Sequence, residues 1–286
     1  MLVPLRGDLK PALGHIELRT LMPQHIQSMI GSKVTAGLSP RTIRGIRAVL
    51  RSALSDAVKW RTLTFNAAKA VSLPRTQRVE TRVFTPEQAR AFVAAAEADR
   101  LGPLFLVALA VGLRLGEALG LRWKDVNLER RELHVRQALQ RVGKELRFVE
   151  PKSEQSRRTI SIPDFAAAVL KRHRTTQLEE RLKAGSRWTD SGLVFSSTIG
   201  TPLDERNVRR AFNTILKGAD LPRIRNHDLR HTCASLLLVQ GVHPRVVMET
   251  LGHSQISLTL DTYSHVLPAL QHEAARQMDS LISAKS

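Results

Sequence analysis

The 286-residue chain has one tyrosine, one cysteine and no long apolar run. A single cysteine, Cys233, excludes an internal disulfide. It opens the apolar run 233–239, where a buried, inert thiol is expected. No segment approaches the 18 or so uninterrupted apolar residues of a membrane span. The first residues do not make a charged head followed by an apolar stretch, so an intracellular, cytoplasmic protein without a membrane partner is expected. His227 and His231 have helical ligand spacing, but a third ligand motif and a His-Glu-x-x-His pattern are both missing. A Walker A loop and a dinucleotide fingerprint are absent as well. Chemistry that needs neither metal nor cofactor is therefore expected.

Acidic residues are also scarce. The chain carries 44 Lys/Arg against 26 Asp/Glu, a formal net charge of +18. Such an excess points to a solvated polyanion as partner, most simply nucleic acid. The surplus is concentrated. Residues 1–80 hold 13 Lys/Arg against 4 Asp/Glu, half of the net charge in less than a third of the chain. A small basic module preceding a larger, better balanced one fits that split.

Ser39 and Pro40 open the clearest helix, as N-cap and first helical residue. Ile43, Ile46, Leu50, Leu54, Ala57 and Val58 fall on one face. Arg41, Arg44, Arg47 and Arg51 recur on another, a stripe suited to DNA phosphates, although a merely solvated basic face has the same pattern. Residues 74–84 lack periodicity and read as an interdomain linker, with the boundary between domains set at 77–84. Thr85-Pro86-Glu87-Gln88 then restarts a helix with a capping box. The domains expected are 1–76, a helical DNA-binding module, and 85–286. In the second, an apolar helix over 104–111 is followed by a turn at Gly112–Gly116 and a short helix near Glu117. Residues 132–139, 145–150 and 157–162 predict three short strands, with His134, Arg136, Arg158 and Ser161 as polar positions on a sheet with one wet face. Helices are expected near 164–183, 205–217, 227–240, 244–251, 256–263 and 268–282, with Asn226 capping the third of these.

The lone phenol, Tyr263, lies ten residues beyond His253 in a stretch rich in His and Arg. A phenol among groups that can hold a phosphate suggests a nucleophile for phosphoryl transfer; taken alone, it reads first as a half-buried packing residue whose hydroxyl finds a partner. Five separated blocks decide between these readings. They are Gly112-Leu113-Arg114-Leu115-Gly116-Glu117 with Trp123 and Asp125; Pro151-Lys152-Ser153 through Arg157-Arg158-Thr159-Ile160; His227-Asp228-Leu229-Arg230-His231-Thr232; Leu251-Gly252-His253-Ser254; and Asp261-Thr262-Tyr263-Ser264-His265. In this order they resemble the arginine, lysine, His-x-x-Arg, histidine and tyrosine motifs of the tyrosine recombinase, or phage integrase, family. The resemblance extends over about residues 5–267.

That resemblance implies a mainly helical α+β fold with a small antiparallel β-sheet, in two domains that wrap DNA as a C-shaped clamp. It makes Tyr263 the nucleophile on a DNA phosphodiester, giving a 3′-phosphotyrosyl link and a free 5′-hydroxyl. Arg114 and Arg230 present planar donor forks to the non-bridging oxygens. Lys152 becomes the general acid for the leaving 5′-oxygen, its pKa drawn down by the arginines. Among the cations of this region (Lys144, Arg147, Arg157, Arg158), spacing alone does not choose. His253 bonds the phosphate, His227 assists or orients the tyrosine proton, and Glu117 orients active-site groups. His231 and His265 read as structural histidines. No cofactor and no metal are implied. The partners implied are double-stranded DNA with specific sites and a tetramer on synapsed DNA, monomeric or weakly associated without it, with the 268–282 helix docking on a neighbour.

Two departures from the family pattern stand out. Leu9–Ile16 resembles a point already inside the family's DNA-binding domain, so its first helix is expected to be missing. Ala67 follows Asn66 where a proline is usual. A type IB topoisomerase-like enzyme, and a non-enzymatic DNA-binding remnant, remain open on the sequence alone.

Overall fold

A computed structural model describes residues 5–75, 82–143, 145–150, 157–252, 275, 276, 278, 279 and 282. The chain divides into two compact units, Met1–Glu80 and Thr81–Ser286.

The first unit is helical. Helix α1 (Lys10–Leu13), α2 (Pro23–Thr35) and α3 (Pro40–Lys59) pack around Ile26, Met29, Ile30, Ile43, Ile46 and Leu54. Ser39 caps α3 by accepting the Thr42 N–H at 3.2 Å, and Pro40 supplies a helical φ where no donor is needed. The apolar stripe read from the sequence is the buried one. The basic stripe is less uniform. Arg41, Arg44 and Arg51 are exposed. Arg47 instead lies along the protein, its Nε donating to the Ala68 carbonyl at 2.8 Å and Nη2 to the Lys69 carbonyl at 3.4 Å. Asn66 caps the turn Ala67–Lys69 through the Ala68 N–H at 3.0 Å and binds back to the Arg51 carbonyl at 2.8 Å. The asparagine cap therefore forms with alanine in the following position.

The second unit starts earlier than the sequence predicts. Phe84, assigned to the linker, is 2% exposed. Its ring packs, tilted by 37°, against that of Phe92 at 5.5 Å, and its N–H donates to Thr232 Oγ at 3.1 Å. Burying such a ring contributes about 2–3 kcal/mol, enough to draw the last linker residue into the core. Thr85 and Gln88 then form the expected capping box at the start of α4 (Pro86–Glu97), worth about 1 kcal/mol. Helix α5 (Gly102–Val111) is apolar on all sides and accordingly buried. Gly112 ends it at φ 66°, and a Cβ there would meet Leu251 at 2.4 Å. Helix α6 (Leu115–Leu119) follows at once.

The sheet differs from the reading of a single three-stranded sheet. Strands β1 (Val126–Asn127), β2 (Glu132–Val135) and β5 (Arg158–Ser161) form one antiparallel sheet in the order β1-β2-β5. Strands β3 (Ala138–Val142) and β4 (Glu145–Val149) form a separate hairpin. The expected strand 132–139 is broken at Arg136 and Gln137. There, Arg136 turns to Asp125 at 3.4 Å and Gln137 donates to the Gly120 carbonyl at 2.9 Å, so local partners replace the ladder.

Helices α7 (Asp164–Ala184), α8 (Glu205–Gly218), α9 (Asn226–Val239) and α10 (Pro244–Leu251) complete the described part of this unit. Asn226 is not the cap of α9. Arg225 holds that position, and the Asp228 carboxylate takes its backbone N–H at 2.7 Å. The helix begins one residue earlier than the sequence reading, which makes Asn226 its first residue; the Asp228 N–H goes to the Arg225 carbonyl at 2.8 Å, and the Asn226 Oδ1 is left buried without a partner among the described residues. The expected 256–263 helix lies outside the described residues; of 268–282, only 275, 276, 278, 279 and 282 are described, all helical. Among the described residues, no helix is long and apolar enough to cross a membrane.

Candidate active site

Four of the candidate side chains, Arg114, Glu117, His227 and Arg230, gather at the turn between α5 and α6. Arg114 sits at the N-cap of α6, directly after the left-handed Gly112 turn. Its backbone N–H and Nη1 both donate to the Glu117 carboxylate, at 3.0 and 2.7 Å. Its Nη2 donates to the Gly252 carbonyl at 3.2 Å. The Arg114 side chain stays 38% exposed, so it is anchored without being covered. It borders a cleft of about 660 Å³ between α6 and the β3–β4 hairpin, with Gln140, Arg141 and Glu150 on the hairpin side.

Arg230 comes from α9 and is 1% exposed. Its Nη1 donates to the Gly112 carbonyl at 2.7 Å, across 118 residues of sequence. His227 lies one turn earlier on the same helix. Burial, then the charges of Arg230 and Arg114, hold its imidazole below the ordinary histidine range, with Asp228 opposing. Its ring meets that of His231 edge-on at 4.9 Å and 85°. His231 is pushed down to about 4, by burial first and by His227 next. Neutral at physiological pH, either imidazole can accept a proton or a hydrogen bond.

Glu117 is 7% exposed and bound by two arginines. Burial raises its carboxyl, but the bonds and charge of Arg158, then Arg114, outweigh it and hold the group below the ordinary value. Arg158 is the residue the sequence misplaced. Assigned to a wet sheet face, it has a side chain only 6% exposed. Its Nη1 and Nη2 bind the two Glu117 oxygens at 3.2 and 2.9 Å, and its Nε donates to the Thr250 carbonyl at 2.7 Å. Parity contained the signal. Arg158 and Ile160 are two apart in a strand and share a face, and Ile160 is 3% exposed.

Lys152, His253, Tyr263 and His265 lie outside the described residues. The chain reaches residue 253 from Gly252, whose carbonyl is held by Arg114. Gly252 closes α10 at φ 64°, a conformation suited to glycine. Arg41, Arg44, Arg47 and Arg51 belong to the other unit. Among the described residues, no cluster of three or more His, Cys, Asp or Glu side chains could hold a metal ion.

Residues 82–269 match the phage integrase family model. A tyrosine recombinase XerC-like protein of Caldanaerobacter subterraneus subsp. tengcongensis is 34% identical over 274 residues, covering 90% of this chain and 70% of that protein. The ICEBs1 integrase of Bacillus subtilis is 29% identical over 248 residues, covering 86% of this chain and 67% of that protein. Among solved structures, the Tn1549 transposon integrase in complex with transposon right end DNA superposes with a TM-score of 0.81 at 20% identity, over 96% of this chain and 90% of that one. A lambda integrase dimer bound to a COC′ core site does so with 0.67 at 18% identity, over 92% and 86%.

Proposed function

The chain belongs to the phage integrase family of tyrosine recombinases, and from that premise we propose how its own residues carry out recombination. It is a site-specific DNA recombinase of the mobile-element integrase kind. The observation that carries the residue assignment is the convergence of Arg114, Arg230 and His227 on the Gly112–Arg114 turn, with the chain entering residue 253 from beside Arg114.

Arg114 and Arg230 bind the non-bridging oxygens of one DNA phosphate. Their forks are fixed before DNA arrives, Arg114 by Glu117 and Arg230 by the Gly112 carbonyl. Charge held in place costs no reorganisation when negative charge builds on the phosphorus, and removing one such donor raises the barrier by about 3–4 kcal/mol. The Tyr263 phenol oxygen attacks the phosphorus, and the bond to the 5′-oxygen breaks. His227, neutral in this setting, assists the phenol proton, and His253 donates to the phosphate. Lys152 delivers a proton to the leaving 5′-oxygen. The product is a 3′-phosphotyrosyl link with a free 5′-hydroxyl. Attack by a second 5′-hydroxyl on that link rejoins the strand and frees the phenol. The energy of the broken ester stays in the covalent intermediate, so no nucleotide hydrolysis is required.

The partner is double-stranded DNA. Exposed Arg41, Arg44 and Arg51 in the first unit contact its phosphates, consistent with the charge concentrated in residues 1–80. Specific sites, four copies on two synapsed duplexes and docking of the 268–282 helix on a neighbour complete the reading, with a monomer or weak association in the absence of DNA. The deciding experiment is Tyr263→Phe on a nicked suicide duplex. Covalent protein–DNA adducts should vanish while DNA binding is retained. Adducts that persist in this variant remove Tyr263 from the mechanism.

A further inference from the structure

We infer that Arg158 is a positioning residue for DNA cleavage, which aims Arg114 and fixes the chain entering residue 253 by holding Glu117 and Thr250 together. This rests on the recombinase reading above. It assigns a role to a side chain that the proposed chemistry does not use.

The bonds form a closed ring. Arg158 Nη1 and Nη2 donate to the two Glu117 oxygens at 3.2 and 2.9 Å. The same two oxygens take Arg114 Nη1 at 2.7 Å and its backbone N–H at 3.0 Å. Arg114 Nη2 reaches the Gly252 carbonyl at 3.2 Å. Two residues back along the chain, the Thr250 carbonyl accepts from Arg158 Nε at 2.7 Å. A path from Arg158 through Glu117, Arg114 and the 250–252 backbone thus returns to Arg158. Three structural elements meet in it: the strand that follows the 151–156 segment, the helix that begins at Arg114, and the end of the helix before residue 253.

The partners of its donors decide what kind of role this is. All three guanidinium nitrogens of Arg158 are tied to the Thr250 carbonyl and the Glu117 carboxylate, so its charge is spent on Glu117 rather than on a DNA phosphate. It acts through its neighbours. Without it, the Glu117 carboxylate could rotate and carry the Arg114 guanidinium with it. The ring also accounts for Gly252: a Cβ there would lie 2.9 Å from Arg158 Cδ and 3.0 Å from Nη1. A lysine at 158 would keep the charge but could not span both carboxylate oxygens and a carbonyl, because its donors share one nitrogen.

The test is Arg158→Lys in the full chain, on a nicked suicide duplex that the wild type cleaves. The expected result is a roughly 100-fold slower single-turnover cleavage, as for a misplaced reacting group, with DNA affinity and melting temperature little changed. In an Arg114→Lys background, the same substitution should slow cleavage by less than 3-fold more, roughly, because its effect is already spent. Wild-type cleavage of the same duplex separates failure of this inference from failure of the recombinase reading. Unchanged cleavage by folded Arg158→Lys would overturn the inference, as would a loss that multiplies fully with that of Arg114→Lys. If the lysine variant melts below the assay temperature, Arg158→Gln is measured by the same criteria.

Discussion

Arg158 and Glu117 face each other inside the second unit, guanidinium to carboxylate at 2.9 and 3.2 Å, with side chains 6% and 7% exposed. Two buried charges gain from this arrangement only while both are present. Glu117→Ala would leave Arg158 charged and largely without its partner. A loss of about 3–5 kcal/mol in unfolding free energy is expected, measured by urea denaturation of the variant against the parent chain.

The same pair makes stability depend on acid. Glu117 titrates below its ordinary 4.5 in the folded chain. Its contribution is therefore complete above about 4.5 and lost as the pH falls through the lower folded value. His231 moves in a second window, from an ordinary 6.5 down to about 4. The unfolded chain takes up that proton first, so stability declines as the pH falls from 6.5 toward 4 and levels off below. Melting temperatures across this range should show the decline, and His231→Phe should flatten its upper part.

Gly252 marks a tight approach. With φ at 64° and Arg158 atoms 2.9–3.2 Å from a built Cβ, Gly252→Ala is strained by backbone and neighbour alike. A cost of about 1–2 kcal/mol for the backbone alone is expected. Single-turnover cleavage should fall by more than DNA affinity does, because the substitution disturbs the chain beside residue 253. Equal losses in both would argue against that placement.

The basic face of α3 can be dissected by salt. Each phosphate contact contributes about 0.9 to the slope of log affinity against log salt. Arg41→Ala, Arg44→Ala and Arg51→Ala should each weaken binding and flatten that slope. Arg47→Ala should leave the slope nearly unchanged and lower stability by about 1 kcal/mol, since its donors serve the Ala68 and Lys69 carbonyls. A slope unaffected by the other three would show that the stripe is merely solvated.

Removing a preorganised donor should be costly for catalysis. Arg114→Ala and Arg230→Ala are each expected to slow cleavage by about 100- to 1000-fold. Arg230→Ala should also destabilise the chain, because its guanidinium is buried on the Gly112 carbonyl. Arg114→Ala should do so less, its side chain being 38% exposed. Parallel single-turnover and melting measurements would separate the two arginines.

Much of the fold was legible because its signals are local. Ser39 before Pro40, the Thr85–Gln88 box and the all-apolar run of α5 each act within a turn or two of chain. Misreadings arose where a distant partner decided. Phe84 looked like linker until Phe92 and Thr232 claimed it. Arg136 and Gln137 looked like strand until Asp125 and Gly120 bent the chain away. Asn226 looked like a cap, but the helix already starts at it, with Arg225 in the cap position and its N–H held by the Asp228 carboxylate.

The sequence by itself determined the chemistry available: a basic chain, one phenol, and arginine, lysine and histidine motifs in the order of the integrase family. Residue type and spacing suffice for that, since they set charge, donors and helical phase. Only the tertiary structure decided which cations face outward and which are consumed inside. Arg47 and Arg158 carry the same guanidinium as Arg44 and Arg114, yet one is laid on backbone carbonyls and the other locked onto Glu117. A guanidinium's function follows from where its donors are satisfied, and those partners are supplied by chain segments that only folding brings near.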